Sequence, residues 1–165
     1  MQTKQSRIAI IDDDPFVTTH LAQSFGKRLP DAEVVGITNP IAPVGFDVYV
    51  IDREFGGDSC GRDLVQRVRK IASDSLVIAY SAFLDRDFLR DLLLEDCEGA
   101  FDKGSLEELD KMMTLIEKFL AEGRLARASA APSTSTVRSI FDLVREWNIR
   151  LANNGHASAK YHTDA

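Results

Sequence analysis

The stretch Val48–Asp52 limits the possible folds of this chain more than any other part of the sequence. It runs Val-Tyr-Val-Ile, apolar or β-forming at every position, and ends in an aspartate. A run without polar alternation is typical of a parallel strand buried on both faces. The carboxyl end of such a strand lies at the edge of the sheet where open α/β folds bind ligands. We therefore expect Asp52 to be a functional aspartate at the mouth of a parallel sheet.

A second stretch repeats this design near the start of the chain. The apolar run Ile8–Ile11 is followed by Asp12, Asp13 and Asp14. If the two strands are neighbours, the carboxylates of Asp12, Asp13 and Asp52 meet in one small volume. Carboxylates about 4 Å apart repel by roughly 4 kcal/mol per pair at an effective dielectric near 20, so the cluster needs protons or a cation. Magnesium prefers such hard oxygen ligands, and we predict a Mg²⁺ site.

Two further side chains follow predicted strands at the same edge. Ser81 ends the fourth strand, and Lys103 ends the fifth. Beside a bound metal an aspartate can attack a phosphorus centre, while a lysine offsets charge on the phosphoryl oxygens. Each residue alone could be an ordinary helix cap, turn residue or solvated lysine. Their conjunction at successive strand ends predicts that Asp52 accepts a phosphoryl group.

Strands and helices alternate along the chain, which indicates an α/β fold with a doubly wound, five-stranded parallel sheet. The predicted strands are residues 7–12, 32–37, 48–52, 75–81 and 99–103, and predicted helices begin near residues 14, 61, 84 and 105. The segment between the second and third strands is the exception. Residues 38–47 are few and contain Pro40, Pro43 and Gly45, so the second helix of the fold is short or missing.

The chain divides by composition into four parts. Residues 1–123 form the main domain, with Gly123 ending its last helix, and residues 124–135 are a flexible linker. Residues 136–152 carry an apolar stripe at helical spacing, and we expect residues 153–165 to form a disordered tail. We hypothesise that the helix over 136–152 covers apolar surface left bare by the missing helix, on its own domain or on a partner subunit.

Charge and apolar content limit the partners and the compartment. The net charge is −6, whereas residues 124–165 carry six Lys and Arg against three Asp and Glu, so the main domain is strongly acidic. An acidic domain argues against nucleic-acid binding. No apolar run approaches the length of a membrane span or of a signal-peptide core, which predicts a cytoplasmic protein with no membrane contact. Cys60 and Cys97 are expected to be free thiols.

Four short motifs together resemble the signature of receiver domains of two-component response regulators. They are Ile10–Pro15, Val50–Asp52, Ala79–Ala82 and Phe101–Lys103. The resemblance covers roughly residues 6–123 and points to a single-domain, chemotaxis-regulator-like bacterial protein. It implies a flavodoxin-like sheet in the order 2-1-3-4-5. It also implies phosphoryl transfer to Asp52 from a histidine kinase or a histidine phosphotransfer protein.

The resemblance assigns roles at the metal. Asp13 and Asp52 would bind Mg²⁺ directly, together with the backbone carbonyl of Glu54, and Asp12 would act through a metal-bound water. It also implies that two side chains contact the phosphoryl oxygens, those of Ser81 and Lys103.

The sequence departs from the family pattern at three positions. Gly56 replaces the usual proline four residues after the acceptor, and Gly104 replaces the common proline after the lysine. Ala100 stands where the family often has a switching aromatic, and strand alternation should turn the adjacent Phe101 to the opposite face. The phosphorylation chemistry is therefore better supported than the conformational relay.

Three classes of function follow. The first is a phosphorylatable receiver, a signalling domain and not a turnover enzyme, whose output is protein contact; a homodimer would form through residues 84–123 or the C-terminal helix. The second is a receiver-like scaffold that binds a partner without phosphorylation. The third is a phosphatase of the haloacid dehalogenase type, which would need a threonine shortly after its first-strand nucleophile, where this chain has Pro15 and Phe16.

Overall fold

A computed structural model describes residues 5–56, 61–82, 84 and 97–129. The strands are β1 (Ser6–Ile11), β2 (Ala32–Ile37), β3 (Val48–Ile51), β4 (Leu76–Ser81) and β5 (Gly99–Asp102). The helices in the described ranges are α1 (Pro15–Arg28), α2 (Gly61–Ile71) and α3 (Leu106–Ser129). None of these helices combines the length and apolar character that a membrane span requires.

The five strands form one parallel sheet in the order β2-β1-β3-β4-β5. This confirms the predicted flavodoxin-like α/β fold. β1 lies between β2 and β3, with Ile11 in register with Ile37 on one side and with Ile51 on the other. The strand order reverses direction at β1 and β3, and open α/β folds bind ligands at such a switch point. The sheet therefore places the residues that follow β1 and β3 side by side.

Two apolar cores lie on opposite faces of the sheet because successive side chains of a strand point to opposite sides. On one face, Ile8, Ile10, Val48 and Val50 pack with α1 and α3. On the other, their neighbours in the sequence pack with α2. Ala100 belongs to the α2 face and Phe101 to the α1–α3 face, which confirms the orientation predicted for this pair.

The segment between β2 and β3, residues 38–47, contains no helix, as its length and prolines predicted. Polar contacts fix it instead. Arg7 donates to Gly45 O over 3.2 Å and to both carboxylate oxygens of Glu33, and its guanidinium lies 4.2 Å from the centre of the Phe46 ring. The Tyr49 hydroxyl donates to Pro43 O over 2.7 Å. Phe46 thereby packs on the α2 face of the sheet.

The start of α1 agrees with its prediction. Asp14 is the N-cap and accepts a hydrogen bond from Phe16 N over 2.8 Å, and Pro15 is the first helical residue. Ser105 likewise accepts from Glu108 N over 3.2 Å at the start of α3, with the Ser–Glu spacing of a capping box.

The end of α3 is a correction. The prediction ended this helix at Gly123 and began a flexible linker at residue 124, whereas α3 continues to Ser129. A single glycine costs a helix only about 1 kcal/mol, and the Arg-Leu-Ala-Arg-Ala that follows is rich in good helix formers. The predicted helix starting near residue 84, the rest of the linker, the helix over 136–152 and the tail over 153–165 lie outside the described residues.

Candidate functional site

The strand ladder leads directly into the acidic residues. Asp12 N donates to Ile37 O over 3.0 Å, and Asp52 N donates to Ile11 O over 2.8 Å. The parallel hydrogen bonding of β1 therefore extends one residue beyond the strands on both sides. Because each backbone is fixed in this way, Asp12 and Asp52 start from adjacent and well-defined positions at the carboxyl edge of the sheet.

Three carboxylates converge at this edge, as predicted. One carboxylate oxygen from each of Asp12, Asp13 and Asp52 lies within 4.8 Å of the others. Asp12 is 1% exposed and Asp52 is 7% exposed, whereas Asp13 is exposed. Buried carboxylates at this spacing repel one another. Their hard oxygen donors and the one solvent-facing side fit Mg²⁺, which keeps several of its waters when bound to proteins.

Lys103 provides positive charge at the same place. Its Nζ lies 2.7 Å from Asp12 Oδ2 and 2.8 Å from Asp52 Oδ2. Burial by itself lowers the pKa of Lys103, but the hydrogen bonds to the two carboxylates outweigh burial, so the pKa is raised. The pKa of Asp52 is also raised, mainly by burial and further by the charge of Asp12, against the opposing effect of Lys103. Lys103 is therefore a cation at neutral pH, and its charge lies against both buried carboxylates, those of Asp12 and Asp52.

Hydrogen bonds from backbone N–H groups orient the two buried carboxylates. Asp52 Oδ1 accepts from Arg53 N over 2.7 Å, and Asp12 Oδ1 accepts from Asp14 N over 3.0 Å. In each residue the other oxygen, Oδ2, faces Lys103. Both carboxylates thus have one oxygen held by backbone and the other turned into the site, an arrangement that holds a nucleophile or a metal ligand in a fixed direction.

The two remaining predicted residues lie at the same edge. Ser81 ends β4 and is 2% exposed, and its carbonyl accepts from Lys103 N over 3.0 Å. This bond joins the ends of β4 and β5 and places Ser81 next to the residue that bridges the acidic pair. Glu54 lies two residues beyond Asp52 and is exposed. All the predicted site residues therefore lie at the carboxyl edge of the sheet, and their roles stay predictions.

Two glycines contribute contacts that sequence reasoning missed. Gly56 N donates to Asp13 Oδ2 over 2.7 Å. Gly61 approaches the strand end so closely that an added Cβ would lie 2.5 Å from Asp52 O and 2.7 Å from Arg53 Cα. The signal for Gly56 was its departure from the proline of the family pattern. For Gly61, the sequence showed only that a small residue stands at the start of a predicted helix.

Known proteins resemble the chain in structure and not in overall sequence. No protein-family model matches the sequence, and no curated protein matches it. Among solved structures, the BeF3-activated receiver domain of DrrB, a protein of Thermotoga maritima, has a TM-score of 0.61 and 16% identity, covering 71% of this chain and 98% of that one.

Two further solved structures agree with this result. The signal receiver domain of a DNA-binding response regulator (merR) from Colwellia psychrerythraea 34H has a TM-score of 0.60 and 23% identity, covering 68% of this chain and 98% of that one. TrrA from Thermotoga maritima, in complex with Mg²⁺ and BeF, has a TM-score of 0.58 and 21% identity, covering 69% and 98%. The chain therefore has the fold of response regulator receiver domains.

Proposed function

We propose that this chain is a response regulator receiver that accepts a phosphoryl group on Asp52 in a Mg²⁺-dependent reaction. The observation that carries the proposal is the pair of contacts from Lys103 to Asp12 and Asp52, within an acidic cluster at the switch point of a receiver fold. A lysine between two buried carboxylates can move to the oxygens of an incoming phosphoryl group without leaving the site. TrrA, a protein of the same fold, is known as a complex with Mg²⁺ and BeF.

The donor that fits this site is a phosphohistidine on a histidine kinase or a histidine phosphotransfer protein. A carboxylate oxygen of Asp52 attacks the phosphorus, and a P–O bond forms as the P–N bond to the imidazole breaks. The electron pair of that bond stays on the imidazole nitrogen. The ring leaves as neutral imidazole when its other nitrogen carries a proton, and otherwise the leaving nitrogen takes a proton from solvent. The product is a mixed anhydride, the aspartyl phosphate.

Each residue around Asp52 has its own role in this transfer. A bound Mg²⁺ would be held by Asp13, Asp52 and the Glu54 carbonyl, with Asp12 acting through a water, and would supply neutralisation of charge on the phosphoryl oxygens. Lys103 offsets the charge of a further phosphoryl oxygen, and the Ser81 hydroxyl donates to another. The Arg53 N–H holds Oδ1 of Asp52, so Oδ2, which faces Lys103, is the oxygen directed into the site for attack.

The output of such a domain is protein contact. We propose a cytoplasmic signalling protein that is modified and demodified at Asp52 and is not a turnover enzyme. Its downstream target would be a protein, or a second copy of the chain that meets it through residues 84–123 or the C-terminal segment. The acidic main domain supports a protein partner over a nucleic acid.

Intact-mass spectrometry after incubation with a small phosphodonor such as acetyl phosphate tests the proposal. We expect one phosphoryl adduct that requires Mg²⁺ and is absent from Asp52→Asn. No adduct on the folded wild-type protein would favour the receiver-like scaffold. Continuous turnover of a generic phosphomonoester, without a single stoichiometric adduct, would instead favour the phosphatase.

A further inference from the structure

A backbone hydrogen bond from the loop after β3 reaches Asp13 of the acidic cluster. Gly56 N donates to Asp13 Oδ2 over 2.7 Å, between residues 43 positions apart in the chain. The neighbouring Phe55 is 7% exposed and packs in the core on the α2 face. The position of the Gly56 N–H is therefore set by a buried anchor and not by a freely moving loop.

Glycine makes this contact available. Gly56 has a φ of 58°, in the left-handed region that most side chains avoid. Receiver domains usually carry a proline at the position that Gly56 occupies. A proline has a φ near −65° and no N–H to donate. A Cβ at Gly56 would meet no atom within 4 Å, so there is space for a side chain. The features that matter at this position are therefore the backbone conformation and the N–H.

Asp13 differs from the other two carboxylates in its surroundings. Asp12 and Asp52 are buried and each has one oxygen close to Lys103. Asp13 is exposed, and its carboxylate would rotate freely unless something held it. The Gly56 N–H occupies one of its two oxygens, and a carboxylate has lone pairs enough to bind a metal while it accepts this bond.

We propose that the backbone N–H of Gly56 is a positioning group for Asp13, which it holds ready to bind Mg²⁺. The proposal rests on the function proposed above and adds a group to its site. Hydrogen bonds that orient a ligand typically change metal affinity by about 10–100-fold. Here the bond also couples the conformation of the loop after β3, which carries Glu54, to metal binding at the site.

The chain contains a matched control for this contact. Gly104 N donates to Asp102 Oδ1, also over 2.7 Å. This second glycine also stands where resembling proteins carry proline. Asp102 does not belong to the group of carboxylates that could hold a metal in the described part of the chain. Removing either N–H deletes the same kind of bond, but only one of the two bonds reaches the cluster.

Amide-to-ester replacement separates the N–H from the rest of the residue. Glycolic acid at position 56, introduced by nonsense suppression in the full chain, removes the donor without adding a side chain. We expect the Mg²⁺ dissociation constant, measured by calorimetry, to rise about 10-fold. The same replacement at position 104 should leave it unchanged. Gly56→Asn keeps the N–H and tolerates a positive φ, so it should bind Mg²⁺ nearly as the wild type does.

Amide hydrogen exchange at Gly56 in the wild-type protein gives a second readout that needs no variant at position 56. We expect Mg²⁺ to slow this exchange several-fold, because the metal fixes the acceptor, and we expect Asp13→Ala to abolish the effect. Faster exchange with Mg²⁺ would mean that metal and N–H compete for Asp13 and would overturn the proposal. So would equal Mg²⁺ affinity of the ester and the wild type.

The same measurements distinguish this proposal from the proposed function. Wild-type protein that neither binds Mg²⁺ nor forms a phosphoryl adduct would overturn both. Wild-type protein that binds Mg²⁺ and is phosphorylated on Asp52, together with an ester variant of unchanged affinity, would overturn only the role of Gly56.

Discussion

Gly61 packs directly against the backbone of Asp52. Its N donates to Arg53 O over 2.9 Å, and a Cβ built on it would lie 2.5 Å from Asp52 O. α2 therefore begins in contact with the residue that we propose to be phosphorylated. The close approach depends on the absence of a side chain, and any shift of this helix start would move the backbone of Asp52.

Gly61→Ala should destabilise the protein, because the new methyl group meets backbone atoms that cannot rotate away. We expect a loss of about 1–3 kcal/mol in the free energy of unfolding, measured by urea denaturation. Gly26→Ala is the control, because Gly26 is an exposed residue of α1 with no atom within 4 Å of an added Cβ. It should stabilise by about 0.5–1 kcal/mol. Equal effects of the two substitutions would contradict the packing argument.

Lys103→Met should destabilise the metal-free protein and make it more responsive to Mg²⁺. Without the ammonium, Asp12 and Asp52 face each other as buried, uncompensated carboxylates, at a cost of about 3 kcal/mol. A cation that binds only the folded state recovers stability. Thermal melts in chelator and in saturating Mg²⁺ should therefore differ more for the variant than for the wild type.

Lys111→Met controls for the loss of a lysine that contacts two carboxylates. Lys111 lies 2.9 Å from Glu107 and 3.3 Å from Glu108 on the surface of α3. Because exposed ion pairs contribute little, its removal should change stability by about 0.5 kcal/mol or less, with or without Mg²⁺. A Mg²⁺ response of Lys103→Met no larger than that of the wild type would argue against the acidic cluster as a metal site.

Cys97 should resist alkylation until the protein unfolds. It is 5% exposed, its Sγ lies 3.2 Å from Gly99 O, and burial raises the pKa of the thiol from 9.0 to about 12. At pH 9 an exposed thiol is half ionised, whereas Cys97 stays protonated, and the thiolate is the reactive form. In a Cys60→Ser background, iodoacetamide should modify the native protein at least 100-fold more slowly than the urea-unfolded protein. Comparable rates would show that this part of the sheet opens readily.

The strand ends could be predicted from the sequence because burial and charge change there abruptly. A wholly apolar run that stops at an aspartate fits the end of a buried strand better than a surface strand or a loop. Asp12 and Asp52 were found in this way, whereas Ser81 and Lys103 were found as the polar residues that end the next two predicted strands. Their convergence needed one further step, the strand order. That order came from the resemblance and not from the apolar pattern, because buried parallel strands all look alike.

Contacts made by backbone groups and by long side chains were not predictable. The hydrogen bond from Gly56 to Asp13 has no residue pattern, because every residue except proline has an N–H. Nothing in the sequence distinguishes Arg7 from other charged residues, yet its contacts with Glu33, Gly45 and Phe46 fix a crossover that lacks a helix. The continuation of α3 through Gly123 was missed because a stop signal was weighed without the helix formers that follow it.

Glu54 should shorten the lifetime of phosphorylated Asp52. It lies two residues beyond the acceptor and is exposed, so its carboxylate is able to project over the pocket. There it would repel the phosphoryl group or hold a hydrolytic water, and its removal slows hydrolysis in either case. We expect Glu54→Ala, and Glu54→Lys more strongly, to lengthen the half-life several-fold by intact-mass time courses in Mg²⁺. Glu122→Ala, on the far part of α3, is the control. Unchanged decay of phosphorylated Asp52 in both Glu54 variants would show that this side chain has no role in hydrolysis.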